Sequence, residues 1–211
     1  MKCNVGKQLV CERGIYGYQR ELGFKIDKIG PNDKVLDIGS GYGTFQEQCN
    51  QKGLDVIALD PMYYSPNRTT SIPSDEWDKL GLDEKVFRKH METKNIFRNN
   101  YDRKIAGIAE MLPFKDKTFN YILSDCSSFF YLNSNYKDVN ERFEVARSMF
   151  SEALRVLKPH GEIRIAQLVF CENRNDEEYY GTVLKSLNLP KRVRWGTRRT
   201  HYGPFYFIVK K

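Results

Sequence analysis

The sequence lacks the features that mark membrane, secreted and metal-binding proteins. No apolar run reaches the roughly 18 residues that a membrane-spanning helix needs. The five cysteines are scattered and form no CxxC pair, which argues against a zinc site or a disulfide framework and favours free thiols in a reducing compartment. The first residues contain no apolar segment with a small-residue cleavage site. We therefore predict a cytoplasmic protein without a membrane span or a bound metal.

Positive charge is what the chain has in excess. Its 34 Lys and Arg residues outnumber its 27 Asp and Glu residues, which gives a formal net charge of +7. A basic balance favours an anionic partner such as RNA, a nucleotide or a phosphorylated metabolite. A lysine-rich solvated surface explains the same number. Since the sequence has no basic tail and no low-complexity block, charge alone does not decide between these.

Turn and cap residues divide the chain into alternating strands and helices. The segments 34–39, 54–60, 104–110 and 117–125 predict strands. The stretch 139–159 has the apolar spacing of a helix, which a turn at 159–161 is expected to end. Residues 1–30 predict a helical N-terminal segment. No linker or internal repeat interrupts the pattern. Such alternation predicts one α/β domain, 1–211, with a mostly parallel sheet.

The stretch VLDIGSGYGTF, residues 35–45, carries a buried strand into a glycine-rich turn. Gly39, Gly41 and Gly43 alternate there, and glycine lets the backbone approach a ligand closely. The helix that follows offers free N–H groups and the positive end of its dipole. Asp60 closes the next strand, where a carboxylate can accept hydrogen bonds from both hydroxyls of a ribose. The pattern therefore favours a nucleotide-like ligand.

Two residues beside the turn distinguish between ligand classes. A dinucleotide fingerprint reads GxGxxG, with Gly or Ala at the position that Thr44 occupies here. Asp37 lies two residues before the first glycine, where its charge would repel a pyrophosphate. Local pairing at the strand end is the alternative for Asp37. The residues favour a ligand with a cationic head and no phosphate, such as S-adenosylmethionine (SAM).

Four segments resemble the motifs of class I SAM-dependent methyltransferases and follow one another in that family's order. They are DIGSGYG (37–43), ALDP (58–61), AEMLPFKDKTFNYILS (109–124) and FSEALRVLKPHGEIRI (150–165). They are most similar to small-molecule methyltransferases of the ubiquinone and menaquinone type. The resemblance implies a Rossmann-like α/β fold with a mostly parallel seven-stranded sheet, an antiparallel C-terminal edge strand and helices on both faces. It also implies SAM as cofactor, S-adenosylhomocysteine (SAH) as product, and no metal.

The resemblance further implies which residues hold the cofactor. The glycines would flank its methionyl part, Asp60 would hold its ribose, and Ser124 with Asp125 would line the methyl-donor site. The full cofactor-binding set is Asp37, Gly39, Ser40, Gly41, Gly43, Asp60, Pro61, Ala109, Glu110, Ser124 and Asp125.

Two departures from the family pattern bear on this expectation. Ile108 stands where the family has an aspartate that accepts from the adenine amino group. Glu110 or a backbone carbonyl is expected to replace it, or packing alone holds the adenine. The segment 61–104 is much longer than usual, and we expect a substrate lid or a partner surface there, with a decorative helix as the alternative.

The acceptor is expected beyond the carboxyl ends of the strands, where ligands of open α/β sheets bind. The loop 195–204 opens on that side. His201 and Tyr202 are the catalytic candidates, His201 as a general base, and the acceptor-side candidates are Tyr131, Arg198 and Arg199. An exposed basic hairpin, and core packing for Tyr131, are the alternatives.

Three functions stay open at this point. The leading one is a SAM-dependent methyltransferase for a small-molecule acceptor, with the methylated atom (O, N or C) unassigned. An RNA methyltransferase is the alternative, because the basic insert and hairpin would serve as phosphate contacts. A non-catalytic SAM-binding regulatory or assembly protein is the third, since the adenine-binding aspartate is missing. The sequence gives no prediction of oligomeric state.

Overall fold

The computed structural model describes residues 13–60, 63, 81, 103–105, 107–125, 138–166, 176–199, 201 and 205–211. The strands are β1 (Lys34–Ile38), β2 (Asp55–Leu59), β3 (Lys104–Ile105), β4 (Phe119–Asp125), β5 (Leu157–Ala166), β6 (Arg194–Arg199) and β7 (Phe205–Lys210). The helices are α1 (Ile15–Leu22), a 3-10 turn (Ile26–Lys28), α2 (Thr44–Asn50), α3 (Val139–Val156) and α4 (Asp176–Ser186). Most of the 61–104 insert therefore lies outside the described residues.

The seven strands form one sheet in the order β3-β2-β1-β4-β5-β7-β6. Neighbours among β1 to β5 pair in parallel, and β7 is antiparallel to both β5 and β6. The predicted seven-stranded, mostly parallel sheet with one antiparallel C-terminal strand is confirmed. One detail differs from the expectation: β7 lies second from the edge, because it pairs on both sides, and β6 forms the edge.

Side chains alternate between the two faces of the sheet and build a core on each. One core packs strand residues such as Leu36 and Ile57 against α3 and α4, and the other packs Val35 and Val56 against α1 and α2. Since strand side chains alternate in direction, Asp37 lies on the same face as Val35, beneath α1 and α2. This places a carboxylate inside an otherwise apolar layer.

A buried arginine attaches α1 to the sheet. Arg164 of β5 is 4% exposed, and its guanidinium lies over the rings of Phe24 and Tyr206, at 5.6 and 5.1 Å. It donates to the backbone carbonyls of Leu22 and Gly23, at 2.9 and 2.7 Å. These carbonyls belong to the end of α1, where helix geometry leaves acceptors without intrahelical partners.

Two element boundaries differ from the sequence-based expectation. The third strand, expected over 104–110, is only Lys104–Ile105 in the structure, and the chain turns at Ala109 and Glu110. The helix expected to end in a turn at 159–161 instead passes directly into β5 at Leu157, with His160 at φ +65°. No helix in the described part of the chain has both the length and the apolar character to cross a bilayer.

Candidate functional site

The glycine-rich turn joins β1 to α2 at the carboxyl end of the sheet. Gly39, Gly41 and Gly43 have φ values of +70°, +57° and +77°, a region that costs about 1 kcal/mol or more for residues with a Cβ. The three alternating glycines are therefore required by the path of the backbone. That path leaves the turn narrow and free of side chains at every second position.

Hydrogen bonds hold the turn against the end of β2. The Gly39 N–H donates to the carbonyl of Leu59 at 2.7 Å, and the Gly41 N–H donates to Oδ2 of Asp60 at 3.0 Å. The sequence-predicted pair of a glycine turn and a carboxylate after the second strand is thus brought together. The Asp60 carboxylate reaches the turn directly.

One wall of the turn is formed by side chains that the sequence analysis did not single out. A Cβ placed on Gly43 would lie 2.6 Å from Cε of Lys104 and 2.9 Å from the hydroxyl of Tyr63. The Tyr63 hydroxyl hydrogen-bonds the Ser40 hydroxyl at 2.8 Å, and Lys104 Nζ donates to the Tyr42 carbonyl at 2.8 Å. Because both residues belong to the long insert, no local sequence pattern connects them to the turn.

Asp37 is completely buried and is held by a tyrosine from α1. The Tyr18 hydroxyl donates to Oδ1 of Asp37 at 2.5 Å, and the Tyr18 ring stacks on Phe45 at 4.0 Å. Among the described residues, Oδ2 of Asp37 accepts no hydrogen bond. Burial raises the pKa of Asp37 to about 8, against the lowering effect of the Tyr18 hydrogen bond. A buried carboxyl with one open acceptor is suited to a cationic partner.

A second buried carboxyl, Asp125, lies at the end of β4. It is 4% exposed and pairs with Arg13, which precedes α1, at 2.8 Å between Nη1 and Oδ1. Burial raises the pKa of Asp125 to about 6, and the Arg13 guanidinium opposes that rise. The charge of Asp125 also contributes to the raised pKa of Asp37. Two buried carboxyls therefore lie close to each other beneath α1.

The remaining predicted cofactor residues lie around this centre to different degrees. Ser124 is buried at the end of β4, and Ala109 is buried after β3. Glu110 lines a groove of about 480 Å³ along α3, and its carbonyl accepts from the Ser148 hydroxyl at 3.0 Å. No described contact joins Glu110 to the glycine turn. Pro61 lies outside the described residues.

The acceptor-side candidates are placed at the far edge of the sheet. Arg198 and His201 are exposed at the carboxyl end of β6, three strands from β4, which corresponds to about 14 Å at the usual strand spacing. Tyr131, Tyr202 and the side chain of Arg199 lie outside the described residues. The structure therefore does not bring His201 into contact with the glycine turn or Asp125.

Sequence reasoning missed Tyr18 and Arg13, which complete the site from the N-terminal segment. A signal for Tyr18 existed, because Tyr18 and Leu22 share the buried face of an amphipathic helix at i, i+4 spacing. No signal pointed to Arg13. Within the described ranges, no group of three or more His, Cys, Asp or Glu side chains could hold a metal ion.

Comparison with known proteins relates this site to a family. The model of the FtsJ-like methyltransferases matches residues 20–187. A curated demethylmenaquinone methyltransferase from Renibacterium salmoninarum is 28% identical over 144 residues. The match covers 67% of this chain, and the chain spans 45% of the length of that relative.

Solved structures with a similar fold include two SAM-dependent methyltransferases. The one from Aquifex aeolicus is 17% identical with a TM-score of 0.45, covering 92% of this chain and 91% of that chain. The one from Archaeoglobus fulgidus is 16% identical with a TM-score of 0.46, covering 88% of this chain and 89% of that chain. The family assignment rests on the sequence match to the family model.

Proposed function

This chain belongs to the FtsJ-like methyltransferase family, and we propose that it is a SAM-dependent methyltransferase whose acceptor is a small molecule. The observation that carries the proposal is the left-handed glycine turn next to a buried carboxyl whose Oδ2 accepts no hydrogen bond from the described residues. SAM has the complementary features, namely a cationic methionyl end and a ribose with two hydroxyls.

The residues of the site fit this cofactor. Asp37 would accept from the ammonium group, because a buried carboxyl lacking a partner gains most from a cation. Asp60 would accept from the ribose hydroxyls, exchanging its present bond from the Gly41 N–H. The glycine turn would contact the methionyl part, since its alternating glycines let the backbone approach a ligand closely. Glu110 is proposed at the adenine edge.

Bound SAM supplies an activated methyl group on a sulfonium. Transfer is an in-line displacement, so the protein contributes mainly by holding the acceptor atom in line and excluding water. Asp125, buried at the end of β4, is proposed to line the donor site, with Arg13 fixing the carboxylate. A general base is needed only when the acceptor atom must lose a proton.

The burial of Asp125 favours a small acceptor over a polymer. Its side chain is fully covered, and Arg13, which contacts it, is 19% exposed. A small molecule can be enclosed at such a point, whereas a polymer needs an open surface beside the reacting atom. The similarity to a demethylmenaquinone methyltransferase supports an apolar quinone-like acceptor.

RNA is the second candidate acceptor, favoured by the net charge of +7. Exposed basic residues bind phosphates without regard to sequence, and such binding weakens steeply with salt. Arg198, exposed at the carboxyl end of β6, would be one such contact.

A two-step experiment tests these proposals. Calorimetric titration with SAH, with NAD as control, should give micromolar binding of SAH alone; binding of neither contradicts the cofactor assignment. Labelled SAM is then offered with a demethylated quinone or with total RNA. Label in the quinone supports the small-molecule acceptor, and salt-sensitive label in RNA overturns it.

Arg198 and His201 are proposed to contact the acceptor from the edge hairpin. Arg198→Ala and His201→Ala should then lower turnover while SAH affinity stays unchanged, because both lie far from the glycine turn. Normal turnover in both variants would assign the hairpin to the solvated surface. Arg194→Ala, at the opposite end of β6, is the matched control.

A further inference from the structure

The Tyr18–Asp37 contact has a consequence for how the cofactor enters the site. Asp37 is fully buried, and the groups that face it come from every surrounding element: Tyr18 from α1, Cys49 from α2, Asp60 and Tyr63 from the end of β2, and Asp125, paired with Arg13, from β4. Two of these, Asp60 and Asp125, are carboxyls whose charges contribute to the raised pKa of Asp37. A bare negative charge on Asp37 is therefore opposed both by burial and by its neighbours.

The hydrogen bonds of Asp37 determine which of its two oxygens carries the proton when the carboxyl is neutral. The Tyr18 hydroxyl occupies Oδ1 as a donor, and Oδ2 accepts nothing from the described residues. A neutral Asp37 therefore carries its proton on Oδ2. Burial raises the pKa of Asp37 to about 8, so the carboxyl is mostly neutral at pH 7 before any ligand binds.

We propose that Tyr18 is a positioning residue for the cofactor site, and that binding of the ammonium end of SAM or SAH expels the Oδ2 proton of Asp37 to solvent. This rests on the proposed function. The ligand brings one positive charge on its ammonium group, and the Asp37 proton leaves to the buffer. The net charge of the site is therefore unchanged by these two events. The Tyr18 hydrogen bond stabilises the ionised carboxylate that results, because donors to a charged group favour the charged form.

The Tyr18–Asp37 hydrogen bond also gives α1 a role, which is to position the Tyr18 hydroxyl. α1 is attached to β5 through Arg164, so the sheet helps to determine the position of the Tyr18 hydroxyl. The Tyr18 ring also stacks on Phe45 of α2, directly after the glycine turn. The hydroxyl can therefore be removed while the packing of the ring is kept.

Tyr18→Phe is the variant that tests the proposal, with Tyr121→Phe as matched control. Tyr121 packs against the same core and donates to the Lys28 carbonyl at 3.2 Å, without contacting Asp37. Both variants lose one hydroxyl from the same side of the sheet. Tyr121→Phe therefore controls for the loss of a tyrosine hydroxyl that donates to a backbone carbonyl and not to a carboxylate.

The first measurement is calorimetric titration with SAH at about pH 6.5, where an α-amino group remains charged. Repeating it in two buffers of different ionisation enthalpy counts the protons released. Wild type and Tyr121→Phe should release close to one proton per SAH, and Asp37→Asn none. Tyr18→Phe should bind about tenfold more weakly, since a hydrogen bond to an ionised group is lost.

The second measurement needs no ligand. The infrared carbonyl band of the protonated carboxyl, assigned by its absence in Asp37→Asn, is followed through a pH titration. Tyr18→Phe should move its midpoint upward by about one pH unit, the equivalent of that tenfold loss, and Tyr121→Phe should leave it in place.

The possible results distinguish a failure of the proposed function from a failure of the proposed proton release. Wild-type protein that binds no SAH contradicts the proposed function and the coupling together. SAH binding without proton release, or an infrared midpoint that is the same in Tyr18→Phe and wild type, overturns the inference and leaves the proposed function standing.

Discussion

The guanidinium of Arg164 donates to the carbonyl of Leu22 at 2.9 Å, which attaches the end of α1 to the middle of the sheet. A second bond reaches the carbonyl of Gly23, and Glu162 on the same strand balances the charge. The helix that carries Tyr18 is thereby fixed by a side chain on β5. The proposed cofactor site therefore depends on a contact that lies outside it.

Replacing Arg164 should destabilise the protein. Arg164→Met keeps an unbranched chain between the two aromatic rings but removes the donor to the carbonyls of Leu22 and Gly23, and Glu162 keeps Lys210 as a partner. We expect the free energy of unfolding to fall by about 3 kcal/mol in urea denaturation. Arg194→Met, on the exposed edge strand, should change it by less than about 0.5 kcal/mol. Equal effects would mean that the buried contacts add nothing.

Asp60 should be required for the cofactor and Asp55 should not, although both belong to the region of β2. Asp60 follows the carboxyl end and accepts from Gly41, whereas Asp55 begins the strand and pairs with Arg103 on the surface. We expect Asp60→Ala to weaken SAH binding at least about tenfold by calorimetry, since charged-group hydrogen bonds are lost. The Asp55→Ala variant should bind SAH as wild type does, and its free energy of unfolding should fall by at most about 1 kcal/mol. Normal binding by Asp60→Ala would remove it from the site.

Alanine substitutions at Gly43 and Gly53 separate the effect of a crowded Cβ from the effect of backbone strain. Both have φ +77°, but a Cβ on Gly53 meets nothing within 4 Å, and a Cβ on Gly43 meets Lys104 and Tyr63. Gly53→Ala should therefore cost only the strain, about 1 kcal/mol in urea denaturation, with SAH affinity unchanged. Gly43→Ala should cost more and should weaken SAH binding, because the wall of the turn has to move. Equal stability and equal SAH affinity in the two variants would show that the lack of space for a Cβ at Gly43 affects neither property.

The stability of the ligand-free protein should depend on the ionisation of Asp37. Its pKa is raised from 3.8 to about 8, so the folded state holds a proton that the unfolded state releases, and this contribution is lost as pH rises through that window. Asp37→Asn mimics the neutral acid. Relative to the variant, wild type should lose up to about 1.4 kcal/mol of unfolding free energy per pH unit between pH 4 and about 8. Parallel pH curves in urea denaturation would contradict a buried neutral Asp37.

Much of the geometry of the glycine turn could be predicted, because it depends on consecutive residues. The run 35–45 contains an apolar strand, an alternating glycine turn and a helix start, and Asp60 follows at the end of the next strand. Each of these depends on local sequence, and parallel strands bring their carboxyl ends together. The structure places Asp60 and Gly41 in direct contact, as that reasoning requires.

The residues that surround the turn could not be predicted in the same way. Tyr18, Arg13, Tyr63 and Lys104 reach it from segments far away in sequence, and only the packing of α1 and the return of the insert determine their positions. Arg164 was missed because an isolated arginine between isoleucines reads as an outward-facing residue of a half-exposed strand. The helix over that face buries it.

The position of β7, between β5 and β6, makes it the connection between β6 and the rest of the sheet. Among the described residues, β6 pairs only with β7, and β7 pairs with β5. Within the described sheet, β6 is therefore joined to the other strands only through β7. A change that removed β7 would detach β6 as well and would leave the edge of β5 unpaired, which is a template for pairing with another chain and for aggregation.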